Sequence, residues 1–467
     1  MARREPRIAR LRGVLGDNWQ LATLCVLLGA AFLLGGGSRG DILSLMILRP
    51  LAVVCLGLGL LGMTRRDWRA FRVPLAIMGA ILALILLHLI PLPPFIWTNL
   101  PGREIVVRAS ELAGLEGIWR PISMVPYRGW NAFYAMLVPA AAMVLAVQVP
   151  PQRQKIVLYV VLGAMVLAAF LGIAQAGSGY NPATYPYRLS NFGSPVGLFS
   201  NRNHFSALMC IAIPALALIA TRAPASNRML VHALCAGGVM LAVFMILATG
   251  SRAGLVLSGV GFLTAWLIWS ARPARVKRRQ VGRTWIVPAV AVAFFVVVGA
   301  CLAIIFDRAE ALDRISTSSV AEENRVQTWQ VTAESLPDYM PVGSGIGSFK
   351  ELFQIHEPSS MLGFAYWNHA HNDWLEWLLE GGVPALILML FAVWAFARSA
   401  LYLWRHRRSD SSGVRLGMFG GAAILILGLW SFVDYPLRVP SMACLAAIAA
   451  VWMTAPRVSK PSFARNG

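Results

Sequence analysis

Long runs of apolar residues recur along the whole chain, and they restrict its fold more than any other feature. About twelve runs are long enough to cross roughly 30 Å of hydrocarbon as helices. They cover residues 20–36, 46–63, 73–92, 130–148, 156–176, 204–221, 231–248, 255–270, 285–305, 384–401, 416–433 and 440–456. Because lipid leaves an unpaired backbone unsatisfied and the runs do not alternate polar with apolar residues, helices are expected rather than barrel strands. The sequence therefore predicts an all-α polytopic membrane protein, with residues 1–467 forming a single membrane domain.

Charged residues are scarce and unevenly placed. They make up 13% of the chain, about half the share of a soluble protein. Lys and Arg concentrate in RREPRIARLR, TRRDWRAFR, RPARVKRRQVGR and RHRRSDSSGVR. Since cytoplasmic segments retain Lys and Arg, both termini are expected in the cytoplasm. The formal charge of +20 is then a result of topology, and no nucleic-acid partner is expected. The first apolar run is interpreted as an uncleaved span rather than a signal peptide.

Three segments are long on the side opposite the cytoplasm. They cover residues 93–129, 177–203 and 306–383, and the last forms a cap between the ninth and tenth predicted spans. Connections of this length usually carry function. In the cap, 321–336 has helical spacing, and 337–349 is expected to break the helix. The glycines of GSGIG there have neither the strand nor the spacing of a nucleotide loop, so a structural turn is predicted.

The cap ends in a polar cluster at the start of an apolar run, NHAHNDWLEWLLEGGVPALILML, which begins at Asn368. Asn372 or Asp373 can cap a short helix of about eight residues. Its tryptophans and leucines suit the membrane interface, and Gly382 belongs to the glycine pair that ends it. His371 is thus expected to be held at the start of this helix, near the outer lipid boundary.

The remaining histidines and the cysteines are residue types that can bind a metal or form disulfides. A metal site built from His356, His369, His371 and a nearby acid is conceivable, but no H-x-x-x-H spacing supports it. The simpler alternative is a set of hydrogen-bonded loop histidines. All six cysteines fall inside apolar runs, so neither a disulfide framework nor a cysteine zinc site is expected. The prediction is a protein without a metal or another cofactor.

A second cluster, LATGSRAGLVLSG, surrounds Arg252 in a short outer turn between two apolar runs. An ionisable residue at this depth is costly unless it is paired or reaches the headgroups. Gly250 and Gly254 permit a tight turn, and the next helix offers its N-terminal amides. These groups together predict an anion site suited to phosphate. The alternative is an arginine that only snorkels to the headgroups.

Two further clusters lie on the same outer side. Arg325 occurs in the cap with Trp329 one helical turn later, and it is either a binding residue or a solvated charge. Arg202, Asn203 and His204 lie at the outer start of another apolar run, where contact with lipid headgroups is the alternative to function. Polar residues therefore gather on one face of the protein.

These residues resemble the superfamily of O-antigen ligases and O-antigen polymerases, which are glycosyltransferases of the bacterial inner membrane. The ligase signature H-[NSQ]-x9-G-x-x-[GTY] matches His371, Asn372 and Gly382, and it departs at Ala385. The turn SRAG, the pattern R-x-x-x-W in the cap and P-x-G-x-G-x-G-S-F, which begins at Pro341, also resemble the family. The motifs cover residues 190–400, and they separate the family members from one another only weakly.

The resemblance implies a fold of the GT-C-like kind and a metal-independent transfer of a glycan from undecaprenyl diphosphate, on the periplasmic side. Arg252 and Arg325 would contact the lipid diphosphate, and His371 would activate the acceptor hydroxyl. Arg202, His204, Asn372, Trp329 and Gly382 would support the site. The acceptor would be lipid A-core for a ligase, or a growing glycan for an O-antigen or exopolysaccharide polymerase.

Other activities stay open at this point. A related group of the family transfers oligosaccharides to proteins. A transporter of lipid-linked glycans would also need many spans and a cationic cavity, but carriers usually bury acids in their spans, and the apolar runs contain none. Glycan transfer is therefore the predicted activity, with the ligase as the first choice.

Overall fold

The computed structural model describes residue 16 and residues 18–271, 320–363, 366–409 and 411–458. Among them are seventeen α-helices and one short antiparallel pair of strands, β1 (Pro91–Leu92) and β2 (Arg120–Pro121). The helices are α1 (Trp19–Leu34), α2 (Leu45–Gly62), α3 (Arg65–Ala70), α4 (Arg72–Leu87), α5 (Pro94–Trp97), α6 (Glu104–Leu112), α7 (Pro126–Ala146), α8 (Gln154–Gly177), α9 (Arg202–Thr221), α10 (Arg228–Ala248), α11 (Arg252–Ser270), α12 (Val320–Glu334), α13 (Leu336–Tyr339), α14 (Phe349–His356), α15 (Asp373–Arg405), α16 (Ser412–Trp430) and α17 (Pro440–Val458). The predicted all-α class is confirmed.

Eight of these helices are long and apolar enough to cross a membrane, namely α2, α7, α8, α9, α10, α11, α15 and α16. Three shorter apolar helices, α1, α4 and α17, accompany them. These eleven helices coincide with eleven of the twelve predicted runs. The twelfth run, 285–305, and the first part of the predicted cap, 306–319, lie outside the described residues.

Helix α9 lies at the centre of the bundle, and its residues from Asn203 to Ala215 are all buried. It packs against α10, α11 and α16, while α16 also packs against α17. Glycines allow the closest approaches: a side chain at Gly261 would meet the carbonyl of Cys210, and one at Gly420 would meet that of Ala449. Small residues serve this purpose in membrane helices, where van der Waals packing drives association.

The glycine-rich turn of the cap wraps around a kink in α15. Three of its glycines have positive φ angles of 81°, 102° and 91°, at Gly343, Gly345 and Gly347. The Gly345 amide donates to the carbonyl of Glu380 (2.8 Å), and the Val383 amide donates to that of Pro341 (2.8 Å). Between these contacts Gly382 leaves the helical region (φ 60°, ψ −150°). The glycines therefore form a structural turn, as predicted, and Gly382 ends the short first part of α15.

One boundary in the cap differs from the prediction. The expected break over 337–349 begins with the short helix α13, in which Pro337 occupies the first turn. Proline is tolerated there because the amide it lacks would have no helical partner. The preceding helix α12 ends at Glu334, close to the predicted end at 336.

Candidate active site

His371 and Asp434 form a hydrogen-bonded pair at one end of the bundle. His371 lies just before α15, and Asp434 lies in the short connection between α16 and α17. The Nδ1 atom of His371 is 3.2 Å from Oδ1 of Asp434. Since a carboxylate can only accept, this contact requires the proton on Nδ1 and leaves Nε2 of a neutral imidazole with a lone pair. The pair thus has the orientation that a histidine base needs.

The backbone at His371 is unusual for a side chain of this size. Its φ angle is 53°, in the left-handed region that few residues other than glycine adopt. The following residue, Asn372, caps α15 by accepting the Leu375 amide at 3.1 Å. Such strained conformations persist where the surrounding structure enforces them, and they cluster at functional sites. The left-handed turn and the cap together place the imidazole beside Asp434.

Asp434 is fully buried but well supplied with donors. The Asn203 amide nitrogen donates to Oδ2 at 2.6 Å, and the backbone amide of Tyr435 donates to Oδ1 at 3.0 Å. Burial acts to raise the pKa of the Asp434 carboxyl, but the hydrogen bond from His371 and the charges of His371, His204 and Arg325 outweigh it. The pKa therefore lies well below its usual range, and Asp434 is ionised at neutral pH.

Tyr435 is surrounded by three histidines. Its ring centroid lies 4.5 Å from that of His369, 4.8 Å from that of His371 and 5.2 Å from that of His204. Burial, and secondly the charge of Asp434, raise the pKa of the Tyr435 hydroxyl above its usual range. The phenol is thus neutral, and its ring fixes the spacing of the imidazoles.

His204 belongs to the same cluster, from the first turn of α9. Its side chain is fully buried, and Nε2 lies 3.8 Å from Oδ1 of Asp434. Among the described residues, neither ring nitrogen has a hydrogen-bond partner. Its neighbour Arg202 begins the helix, and Nη1 of Arg202 lies 3.5 Å from the Ser194 hydroxyl. The structure thus brings His204 to His371, while Arg202 contacts the segment before α9.

The cap contributes Arg325 and Trp329 from α12. The Trp329 indole donates to the carbonyl of Ala370 at 2.9 Å, which fixes the cap helix against the residue before His371. Arg325 lies one turn earlier on α12 and is half-buried, and its charge contributes to the lowered pKa of Asp434.

Arg252 begins α11, directly after the tight turn. Gly250 has a φ of 60°, and the Ser251 hydroxyl caps the helix by accepting the Gly254 amide at 3.1 Å. Gly254 packs against Ser206 of α9, two residues after His204. Arg252 thus has the predicted position at a helix N-terminus, and its turn lies beside the start of α9.

A second charged network connects the start of α15 with the segment after Asp434. The Arg438 guanidinium lies 3.4 Å from Asp373, 3.1 Å from Glu376 and 3.2 Å from Glu380, three acids of α15. Burial lowers the pKa of Arg438, but the three carboxylates outweigh it, so the pKa is raised and the guanidinium stays charged. His369 contacts the same network, with Nδ1 at 2.9 Å from Glu376.

The acids of this network all precede the kink at Gly382, in the short first part of α15. The apolar run 384–401 that follows the kink contains no Asp or Glu. Arg438 is the counter-charge of the three acids at the start of the helix.

The histidines of the proposed metal alternative have separate partners. Nε2 of His356 lies 2.8 Å from the Tyr339 hydroxyl, His369 contacts Glu376, and His371 contacts Asp434. Over the described ranges, no group of three or more His, Cys, Asp or Glu has the arrangement of a metal site.

Sequence reasoning missed Asp434, Tyr435 and Arg438. A signal for two of them was present, because DYPLRV places an acid and an arginine in a short connection between apolar runs. The rule that selected Arg252, an ionisable residue at the lipid boundary, also applies to Asp434 and Arg438. No local pattern distinguishes Asn203 as a partner of Asp434.

Part of the chain is similar to a known protein family. A family model described as O-antigen ligase matches residues 237–390. The matched range includes Arg252, Arg325, His371 and Gly382, and it ends before Asp434. Comparison with curated proteins found no match. The match over residues 237–390 thus supports a relation of this part of the chain to the O-antigen ligase superfamily.

Proposed function

We propose that this protein transfers a glycan from undecaprenyl diphosphate to a hydroxyl group of lipid A-core, at the periplasmic face of the bacterial inner membrane. The family match supports an activity of the ligase or polymerase type. The observation that carries the mechanism is the contact of His371 with the ionised, buried Asp434. The periplasmic location rests on the distribution of Lys and Arg, which favours cytoplasmic termini.

In this mechanism His371 is the general base. Its Nε2 takes the proton of the acceptor hydroxyl while that oxygen forms a bond to the anomeric carbon of the donor glycan. The bond from this carbon to the diphosphate oxygen breaks, and the diphosphate leaves with the electron pair. Asp434 keeps the proton on Nδ1 and stabilises the imidazolium that forms, as an acid does in hydrolase triads.

Arg325 and Arg252 are assigned to the diphosphate. Two guanidiniums can each bind phosphate oxygens with paired donors, and the N-terminal amides of α11 add a positive dipole end. Support for Arg325 comes from the effect of its charge on the pKa of Asp434, and support for Arg252 comes from the packing of its turn beside the start of α9. Trp329, Asn372 and Gly382 position the loop that carries His371, whereas His204 faces Asp434.

No metal is required in this scheme. The donor is already a diphosphate ester, so two arginines can stabilise the charge of the leaving group without a divalent cation. We therefore expect glycan transfer to continue in the presence of a chelator. Inactivation by the chelator, reversed by added metal, would contradict this part of the proposal.

The test uses the full-length protein in lipid nanodiscs with an undecaprenyl-diphosphate glycan. Three acceptors are offered separately: lipid A-core, a second molecule of donor, and a hydroxyl-bearing peptide. A glycosylated lipid A-core supports the ligase; elongation of the donor indicates a polymerase; a glycopeptide indicates protein glycosylation. His371→Ala should abolish the product, while His356→Ala, which removes a histidine bonded to Tyr339, is the matched control. Movement of intact donor across the bilayer of sealed proteoliposomes, without any product, would instead indicate a transporter.

A further inference from the structure

A cavity lies apart from the histidine cluster, between the segment before α2 and the outer part of α7. Its volume is about 510 Å³. Most of its lining is apolar; five of the ten lining residues come from α2, four come from the segment before α2, and Tyr134 comes from α7. Several lining side chains are largely exposed at the protein surface, among them Leu43 (80%) and Met46 (74%). In a chain of this kind such a surface faces lipid, so the cavity opens toward the acyl chains.

Arg49 is the cation that lines this cavity. It lies in the apolar sequence LMILRPLAVV, where a charge is costly unless it is paired. Its Nη2 donates to the side-chain oxygen of Asn131 at 2.8 Å, which is the single hydrogen bond of this guanidinium within the described chain. The Nε atom is buried and has no partner among the same residues. A neutral amide satisfies one of five donors, so the charge of Arg49 is left for a ligand.

The acid in the cavity wall does not neutralise Arg49. Asp41 is held by Arg39 through two hydrogen bonds of 3.0 and 2.7 Å. Hydrogen bonding from Arg39 is the main cause of the lowered pKa of Asp41. Both side chains are therefore charged, and their opposite charges cancel. The cavity therefore has a net positive wall, from Arg49, beside an apolar wall.

Aromatic residues mark the level of the cavity in the bilayer. Trp130 and Tyr134 stack on the outer part of α7 with ring centroids 6.1 Å apart, and both are partly exposed. Trp and Tyr prefer the level of the lipid headgroups. Arg49 is thus at a depth where the phosphate of a lipid can reach it while the acyl chains remain in hydrocarbon.

From these features we propose that the cavity around Arg49 binds a phosphate-bearing lipid. The guanidinium binds the phosphate oxygens through its unpaired donors, and the apolar wall formed by Leu43, Met46 and Val53 contacts an acyl chain. The chain between α1 and α2 also contacts the residues just before α9, since the Ser200 amide donates to the Gly36 carbonyl at 3.2 Å. The proposal does not depend on glycan transfer.

The experiment measures lipid binding to the full-length protein by native mass spectrometry. The probes are phosphatidylglycerol, a monophosphoryl lipid A, a phosphate-free glycolipid and inorganic phosphate. We expect both phosphate lipids to bind the parent, and Arg49→Gln to weaken each of them roughly tenfold or more, as expected for the loss of a charge-assisted hydrogen bond. Arg108→Gln is the matched control, because Arg108 is exposed on α6 and outside the cavity.

Two further variants guard against a simple folding defect. Arg49→Lys keeps the charge and should retain part of the binding. Met46→Trp fills the cavity from an exposed position and should weaken lipid binding with Arg49 still in place. Equal lipid binding by the parent and Arg49→Gln would overturn the proposal. Binding of the phosphate-free glycolipid as tightly as the phosphate lipids would overturn the role of phosphate, and equally tight inorganic phosphate would overturn the role of the lipid chain.

Discussion

Glu376 connects the segment before His371 to the segment after Asp434. One of its oxygens lies 3.1 Å from the Arg438 guanidinium, and the other accepts the Ala370 amide at 2.8 Å. The ion pair thus ties together the two chain segments that carry the proposed base and its carboxylate. Their relative position depends on this buried contact as well as on their own hydrogen bond.

Arg438→Gln should therefore impair both stability and transfer. Removal of one partner from a buried ion network leaves uncompensated carboxylates, at a cost of about 3–5 kcal/mol. The measurements are the unfolding temperature in nanodiscs and the turnover with lipid-linked donor. Arg408→Gln, at an exposed arginine, is the control. An Arg438→Gln protein with parental stability and turnover would show that the network does not position the base.

Loss of either member of the proposed catalytic pair, His371 and Asp434, should reduce turnover strongly. We expect Asp434→Asn and His371→Ala each to lower kcat by about 10²–10⁴-fold, the range of a positioned general base. The double variant should be little worse than the single ones, because residues that act as a unit are not additive. Steady-state kinetics of the four proteins test this. If the fold-loss in kcat of the double variant equals the product of the two single losses, His371 and Asp434 act independently.

The arginines should affect donor binding more than the chemical step. Arg325→Lys and Arg252→Lys keep the charge but lose the planar pair of donors, so we expect a raised KM for the lipid-linked donor and poor rescue relative to alanine. Titration with the donor measures this effect. Arg188→Lys, at an exposed arginine, serves as the control. If Arg252→Ala binds the donor as tightly as the parent, Arg252 does not bind the diphosphate and only contacts lipid headgroups.

The low pKa of Asp434 predicts how its contribution to stability varies with pH. A carboxyl whose pKa is lowered by folding stabilises the folded state above its unfolded pKa of about 3.9, and this contribution is lost as the pH falls through the lower folded value. The difference in unfolding temperature between the parent and Asp434→Asn should therefore be full above about pH 5 and shrink below about pH 4. Asp338→Asn, on the exposed side of the cap, should show no such change. A difference independent of pH would contradict the assignment.

Reporter fusions test the orientation on which the periplasmic site depends. Fusions after residues 70, 280 and 410 should report the cytoplasm, and fusions near residues 190 and 350 the periplasm, because the first group follows segments rich in Lys and Arg. A cytoplasmic signal from residue 350 would exclude transfer from a donor presented outside. The glycan assay in nanodiscs would then measure an activity on the other face.

The sequence by itself determined the helices, their apolar character and most of the polar positions at their ends. Hydropathy and turn chemistry are local, so they predicted the kink at Gly382, the turn before Arg252 and the placement of His371 at the start of a helix. The sequence left Asn372 or Asp373 as the helix cap, and the structure shows that Asn372 is the cap.

Only the tertiary structure decided which polar residues meet. Asp434 contacts His371 across 63 residues of chain and Asn203 across 231. These contacts arise because α9 and α15 begin, and α16 ends, at one place in the bundle. Van der Waals packing between apolar helices sets that arrangement. Apolar periodicity shows that a helix is buried but not which helix it faces. The partners of His371 were therefore beyond any local reading of the sequence.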